Sequence, residues 1–231
     1  MNFRIVPVDA QTWLLEEGGV RFFLLTGTKR ALLIDSGMTA AEVRSAVASL
    51  TDLPVTLINT HADRDHIGAN AEFDEAWMHP SEFNNYREQG GTGAVHPVWD
   101  GEEIDLGERT VKVIHLPGHT PGGIALLDVE RRILISGDPI NTGNIFMFGP
   151  QRNIDAYVCG MERLAAMRGS FDTIWPSHGE LPLSPDLIPG LIEGAKAILC
   201  GGVPGEKFDF MDLHVLRRKA GPGWFLCAPE E

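Results

Sequence analysis

Residues 57–70 read LINTHADRDHIGAN, and four side chains able to hold a metal ion fall within six positions there: His61, Asp63, Asp65 and His66. They follow an apolar run, Pro54 to Ile58, that reads as a buried strand. Imidazoles and carboxylates are costly at the end of a buried strand unless they are hydrogen bonded or bind a metal. His61 and Asp63 are two apart, so in extended chain they point the same way. Asp65 and His66 are adjacent and diverge toward a second centre. The spacing predicts two neighbouring metal ions. Neutral imidazole and carboxylate suit zinc, iron or manganese, and the motif contains no thiolate.

Three further stretches share this design. LPGHTPGG places His119 just after a strand ending at Leu116, ILISGDP places Asp138 just after the strand Ile133–Ile135, and IWPSHGE places His178 just after a strand ending at Trp175. Each is a metal-competent residue in a turn bent by Gly and Pro. Four strand-end loops can converge on one edge of a sandwich and assemble ligands from distant sequence.

Strands have to carry these turns, and the sequence supplies them. Phe3–Val8, Thr12–Glu16, Val20–Leu25 and Ala31–Ile34 are apolar or alternating runs, punctuated at Gly18-Gly19 and Gly27-Thr28. Thr39–Leu50 predicts a helix with Val43, Ala46, Val47 and Leu50 on one face and a Thr39–Glu42 capping box. A short strand is expected around Trp77 and a helix over Ser81–Glu88. The stretch GGTGAVHPVWDG, 90–101, shows no periodicity and reads as a loop that gates substrate. Strands Thr110–Leu116, Gly123–Val129, Arg132–Ile135 and Phe171–Trp175 follow, with helices at Asn153–Met167, capped by Asn153, and Pro185–Leu199. The last 30 residues add a short strand or two. Strands in both halves with covering helices predict two sheets packed face to face with helices outside.

Composition bounds the partners. The 231 residues are 43% hydrophobic and 22% charged, which fits a soluble chain with a sizeable core. The net charge of -13 repels phosphate backbones, so nucleic acid is excluded as first choice of partner and a small molecule is preferred. Cys159, Cys200 and Cys227 are odd in number and far apart, so they read as small buried hydrophobes rather than a disulfide framework. The N-terminus MNFRIVPVDAQTW has no signal pattern, and no run reaches membrane-spanning length, so no membrane partner and a cytoplasmic location are expected.

THADRDH, GHTPGG, SGD and SHG, in this order and spacing, resemble the metallo-β-lactamase superfamily over roughly residues 10–180. The resemblance implies an α/β fold, a four-layer αββα sandwich of two mixed β-sheets with outer helices, here as one domain over 1–231. It implies a dinuclear site at the sheet edges. By position, His61, Asp63 and His119 hold the first ion, Asp65, His66 and His178 the second, and Asp138 bridges them. Asp35, in LIDSG, matches an early strand-end Asp and reads as a structural hydrogen-bonding group. The common family motif is HxHxDH, and this chain has Asp63 in place of the second His. That makes the first donor set harder and opens iron beside zinc, the preferred metal, and manganese.

The activity implied is a hydrolase that attacks a small thioester, ester or lactone with a metal-bridging hydroxide, Asp65 or Asp138 relaying the proton. Phe146, Met147 and Phe148 would form an apolar wall, with Asn141, Asn144 and Arg152 as hydrogen-bond donors. The alternatives are an iron-dependent redox enzyme of the same fold, as in persulfide dioxygenases or diiron reductases, a β-lactam hydrolase, or a non-catalytic binding protein. Glyoxalase II is disfavoured because its helical C-terminal domain needs more chain.

Overall fold

The alternating runs of the first half fold as a meander that then turns parallel. The computed structural model describes residues 2–149, 151–210 and 213–229. In it β1 (Arg4–Asp9), β2 (Thr12–Glu17), β3 (Val20–Thr26) and β4 (Ala31–Ile34) pair antiparallel in chain order. After α1 (Val43–Leu50), β5 (Val55–Ile58), β6 (Glu75–Met78) and, beyond α2 (Phe83–Glu88), β7 (Ala94–Pro97) add in parallel to give seven strands. Parallel neighbours need long crossovers, and the HADRDH motif lies in the crossover from β5 to β6.

The second half contains β8 (Glu103–Asp105), β9 (Thr110–His115), β10 (Ile124–Asp128), β11 (Ile133–Gly137), β12 (Asn144–Met147), α3 (Ile154–Ala166) and β13 (Thr173–Pro176). It ends with α4 (Ile188–Leu199), β14 (Glu206–Phe210), β15 (Leu213–Ala220) and β16 (Gly223–Cys227). Its five-stranded sheet runs β13-β11-β10-β9-β8, with β13 parallel to β11. A third sheet, β12-β16-β15-β14, stands beside the two expected from the sequence.

Period-two alternation sorts side chains into layers. Phe23, Leu25, Leu32 and Ile34 of the first sheet meet Val111, Val113, Leu126 and Ile135 of the second. Their neighbours Phe22, Leu24 and Leu33 face the other way, onto Val43 and Val47 of α1 and Tyr86 of α2. Ala125, Leu127 and Leu134 pack on Tyr157, Met161 and Leu164 of α3 and Leu191 and Ala195 of α4. The order is helix, sheet, sheet, helix. The fully buried Arg109 ties the two sheets: its Nε donates to Asp128 at 2.9 Å and its Nη1 to the carbonyls of Gln11 at 2.7 Å and Thr26 at 3.1 Å.

Several local expectations are corrected. α1 begins at Val43, and no Thr39–Glu42 box forms. Glu42 has φ 66°, and the Glu72 carboxylate accepts from the amides of Glu42 and Arg44, each at 2.8 Å. A carboxylate from a distant segment has displaced the local cap. The stretch 90–101 is not all loop, because β7 pairs with β6 there. A four-residue, partly exposed edge strand ending in Pro leaves no alternation to read. The C-terminal part holds three strands. The cysteines are not buried: Cys159 and Cys200 are exposed and Cys227 is half-buried.

Candidate metal centre

The loops after β5, β9, β11 and β13 meet at one edge of the sandwich and bring all seven expected side chains together. Their donor atoms form two groups, His61 with Asp63 and His119, and His66 with Asp65, Asp138 and His178, and within each group all lie within 4.8 Å of one another. In the first, Asp63 Oδ2 is 3.6 Å from His61 Nε2 and 3.3 Å from His119 Nε2. In the second, Asp138 Oδ1 is 3.2 Å from His66 Nε2 and 3.4 Å from His178 Nε2, and Asp65 Oδ2 is 3.1 Å from His178 Nε2. The other oxygen of Asp138 lies 3.6 Å from His119 Nε2, so this carboxylate faces both groups. Donors held tetrahedrally at zinc distances are about 3.3 Å apart, which is the spacing found.

All four imidazoles are oriented the same way. Nδ1 of His66 lies 2.8 Å from Asp35 Oδ2, Nδ1 of His119 lies 3.0 Å from the Phe146 carbonyl, and Nδ1 of His178 lies 2.9 Å from the Gly19 carbonyl. Nδ1 of His61 lies 3.0 Å from Thr60 Oγ1. That hydroxyl gives its own proton to Asp35 Oδ2 at 2.8 Å, so it accepts from His61. Each Nδ1 donates outward, and each Nε2 faces the centre. Nε2 of His61, His66 and His119 and Oδ1 of Asp138 are buried without a hydrogen-bond partner among the described residues. Unpartnered buried imidazole nitrogens are costly in a protein interior, and a cation among them removes that cost. The residues fit divalent ions, and the outward hydrogen bonds are the ones that metal-ligating histidines make.

Groups outside the motifs hold these rings. Asp35, at φ 63°, also accepts from the Thr60 amide at 2.7 Å, as its structural reading required. The fully buried Glu82 accepts from the Ala62 amide at 2.9 Å and the Gly122 amide at 2.7 Å, joining the His61 loop to the His119 loop. Gly118 has φ 128°, and a Cβ there would sit 2.4 Å from Tyr157 Cα, so only glycine lets the His119 turn lie on α3. Asp63 has two donors of its own: Asn85 Nδ2 donates to its Oδ1 at 3.2 Å, and Arg152 Nη2 donates to its Oδ2. Sequence reasoning named Arg152 as a donor but missed Glu17, Glu82, Asn85 and Phe210, which sit in no motif.

The electrostatics follow from this crowding. Burial opposes the charge on Asp63, but the His119 and His61 rings beside it hold its carboxyl well below the ordinary range. Burial likewise opposes the charge on Asp138, and the cationic forms of His178 and His66 outweigh it and lower its pKa. The reverse holds for His66, where burial is outweighed by the Asp138, Asp65 and Asp35 carboxylates and the pKa is raised.

A cavity of about 610 Å³ opens onto both groups. Val20, Met38, Phe146 and Phe210 give it apolar walls, and Asn141 and Asn144 line it too. Glu17 holds the Met38 rim by accepting from the amides of Met38 and Thr39, each at 2.9 Å. No residue of 90–101 lines this cavity, so the expected gate is not there. Trp99 instead packs edge-on against His79 at 5.5 Å. Phe148 packs against Phe146 with the rings tilted and 5.5 Å apart, and Tyr157 is a core residue whose hydroxyl donates to the Pro139 carbonyl at 2.9 Å.

Known proteins resemble this chain in sequence and in fold. The acyl-coenzyme A thioesterase MBLAC2 of Gallus gallus is 28% identical over 211 residues, covering 72% of this chain and 76% of the relative. The hydroxyacylglutathione hydrolase GloC of Haemophilus influenzae is 26% identical over 211 residues, covering 81% and 88%. Among solved structures, a metallo-beta-lactamase from Pontibacter korlensis superposes with a TM-score of 0.68 at 14% identity, over 84% of this chain and 99% of that one. A metallo-beta-lactamase from Erythrobacter litoralis with beta mercaptoethanol in the active site gives 0.67 at 19% identity, over 84% and 96%. The family model of the metallo-beta-lactamase superfamily matches residues 15–181, a span that holds all seven clustered side chains, and the chain belongs to that superfamily.

Proposed function

We propose that this chain is a dinuclear metallo-hydrolase of small thioesters. The carrying observation is the common polarity of the four imidazoles, with unpartnered nitrogens and the two-faced Asp138 converging beside an open cavity. His61, Asp63 and His119 would hold one ion, Asp65, His66 and His178 the other, and Asp138 both, with zinc preferred. A bound divalent pair supplies Lewis acidity and an acidified water.

The chain's own residues complete the reaction. The apolar walls at Val20, Met38, Phe146 and Phe210 take the acyl group and exclude bulk water from it. Burial opposes the charge on Asp65, but His66 and His178 lower its pKa, so its carboxylate is ionised at neutral pH. Asp65 Oδ2 accepts the proton of the water that attacks the thioester carbonyl carbon. The carbon–sulfur bond then breaks, and the proton passes to the departing thiolate. Two relatives named for thioester hydrolysis support this substrate class. The size argument against a glyoxalase II-type substrate does not hold, because 88% of GloC is matched.

A panel of acyl-CoA, acylglutathione, ester and lactone substrates, assayed with metal content by mass spectrometry, tests the proposal. Two ions per chain and turnover of thioesters ahead of esters are expected. Full metal loading without thioester turnover would sink it. One observation favours a second reading: His61, Asp63 and His119 form a two-histidine, one-carboxylate set, which suits iron. Iron dominating in anaerobically purified protein, with oxygen consumption, would put redox chemistry first.

A further inference from the structure

Asp63 brings a carboxylate into a group whose other members are imidazoles, and the structure sets a cation directly against it. Arg152 reaches the site from the segment between β12 and α3, 89 positions away in sequence, and its Nη2 donates to Asp63 Oδ2. Both side chains are largely buried, at 15% and 17% exposure, so solvent screens the pair only weakly. Asp63 Oδ2 is also the oxygen that faces His61 Nε2 and His119 Nε2. The guanidinium makes no hydrogen bond to either ring, and both nitrogens lack any hydrogen-bond partner among the described residues. It shares Oδ2 of Asp63 with those rings, while Asn85 fixes the other oxygen.

We propose that Asp63 and Arg152 act as one neutral unit in the first metal group, Arg152 being a positioning residue that cancels the charge of Asp63 and aims its Oδ2 at the ion. The proposal rests on the reading of Asp63 as part of the metal centre. A unit of zero net charge stands where a neutral imidazole would otherwise serve. Histidine at position 63 would therefore leave the Arg152 charge uncancelled beside a divalent cation. Partners in the outer shell of a metal site are typically worth about 10- to 100-fold in affinity, so the mismatch should be easy to measure.

The test is zinc affinity of the full chain, stripped and then titrated in competition with a chromogenic chelator, for wild type, Asp63→Ala, Asp63→His, Asp63→His/Arg152→Gln and Asp63→His/Arg152→Lys. Asp63→His should weaken one of the two ions by about tenfold or more. Removing the charge in Asp63→His/Arg152→Gln should restore that ion to near the wild-type affinity, and Asp63→His/Arg152→Lys should not. Wild-type affinity in Asp63→His, or no recovery in the Gln double variant, would overturn the proposal. Should Asp63→His fail to fold, the single Arg152 variants carry the test. Lys keeps wild-type affinity and Gln, which neither cancels the charge of Asp63 nor aims it, shifts the affinity away from the wild-type value, whereas equal affinities for the two refute the unit. If Asp63→Ala leaves both ions unchanged, Asp63 is no ligand and both readings fall. If Asp63→Ala weakens one ion but the recovery is missing, only the Asp63–Arg152 unit falls.

Discussion

Asp35 Oδ2 lies 2.8 Å from His66 Nδ1, and the same carboxylate takes the amide and hydroxyl of Thr60, which in turn orients His61. One buried carboxylate thus sets a ring in each of the two donor groups. Asp35→Asn keeps the shape and tolerates the positive φ but removes the charge. Zinc affinity should fall by about 10- to 100-fold, measured by chelator competition. Unchanged affinity for both ions would show that Asp35 only shapes the turn.

Glu82 makes a narrower prediction. Its two oxygens anchor the Ala62 and Gly122 amides, and those loops carry His61 and His119. Glu82→Ala should lose one ion and keep the one held by Asp65, His66 and His178, visible as metal content falling from two ions toward one. Equal loss of both ions would mean that Glu82 supports the whole edge rather than one group.

These two residues mark where the sequence was and was not legible. The seven donors and Asp35 could be read because each sits at the end of an apolar run in a turn bent by Gly or Pro, a local pattern. The four layers could be read from period-two runs with a helical face between them. Glu82 is a lone acid in a helix, and its contacts reach 20 and 40 positions away. The cap on α1 failed for the same reason: Glu72 reaches back from a later segment and takes the amides that a local cap would have filled. Phe210 ends β14, at the opposite edge of the third sheet from β12, yet its ring meets Phe146 edge-on at 4.9 Å, a contact between residues 64 positions apart that no local pattern announces.

That contact predicts selectivity. Phe146→Ala and Phe210→Ala each remove an aromatic wall on the acyl side, and a fully buried side chain of this size is worth about 1.5–3 kcal/mol. For a medium-chain acyl thioester kcat/KM should drop by about tenfold or more, with little change for an acetyl thioester. The same drop on both substrates would place the rings in general support of the site.

Arg109 and Asp128 are each 1% exposed and bonded to each other within the second sheet, and Arg109 also reaches the Gln11 and Thr26 carbonyls of the first. Breaking a buried pair by removing one partner costs about 3–5 kcal/mol. Asp128→Ala should lower stability by that order in urea unfolding and leave metal content at the wild-type value. A loss below about 1 kcal/mol would show that water reaches the abandoned guanidinium.

The metal-stripped protein should respond to pH in the opposite sense to the loaded one. Burial opposes the charge on His66 and His178, yet the surrounding carboxylates raise both pKa values above the ordinary 6.5. A raised folded pKa contributes stability that is full below about 6.5 and is lost as pH climbs through the folded value. Asp63 and Asp138 have lowered pKa values, so their contribution is lost only in acid and stays constant in this window. The stripped protein should therefore melt at progressively lower temperature as pH rises from about 6 to 8. Zinc must displace the protons on His66 and His178, so its affinity and the stabilisation it gives should grow over the same range. Melting curves with chelator and with zinc, taken at half-unit steps of pH, should diverge upward. A stripped protein whose melting temperature rises with pH would show that these histidines are neutral without metal and that the carboxylates are balanced by other charges.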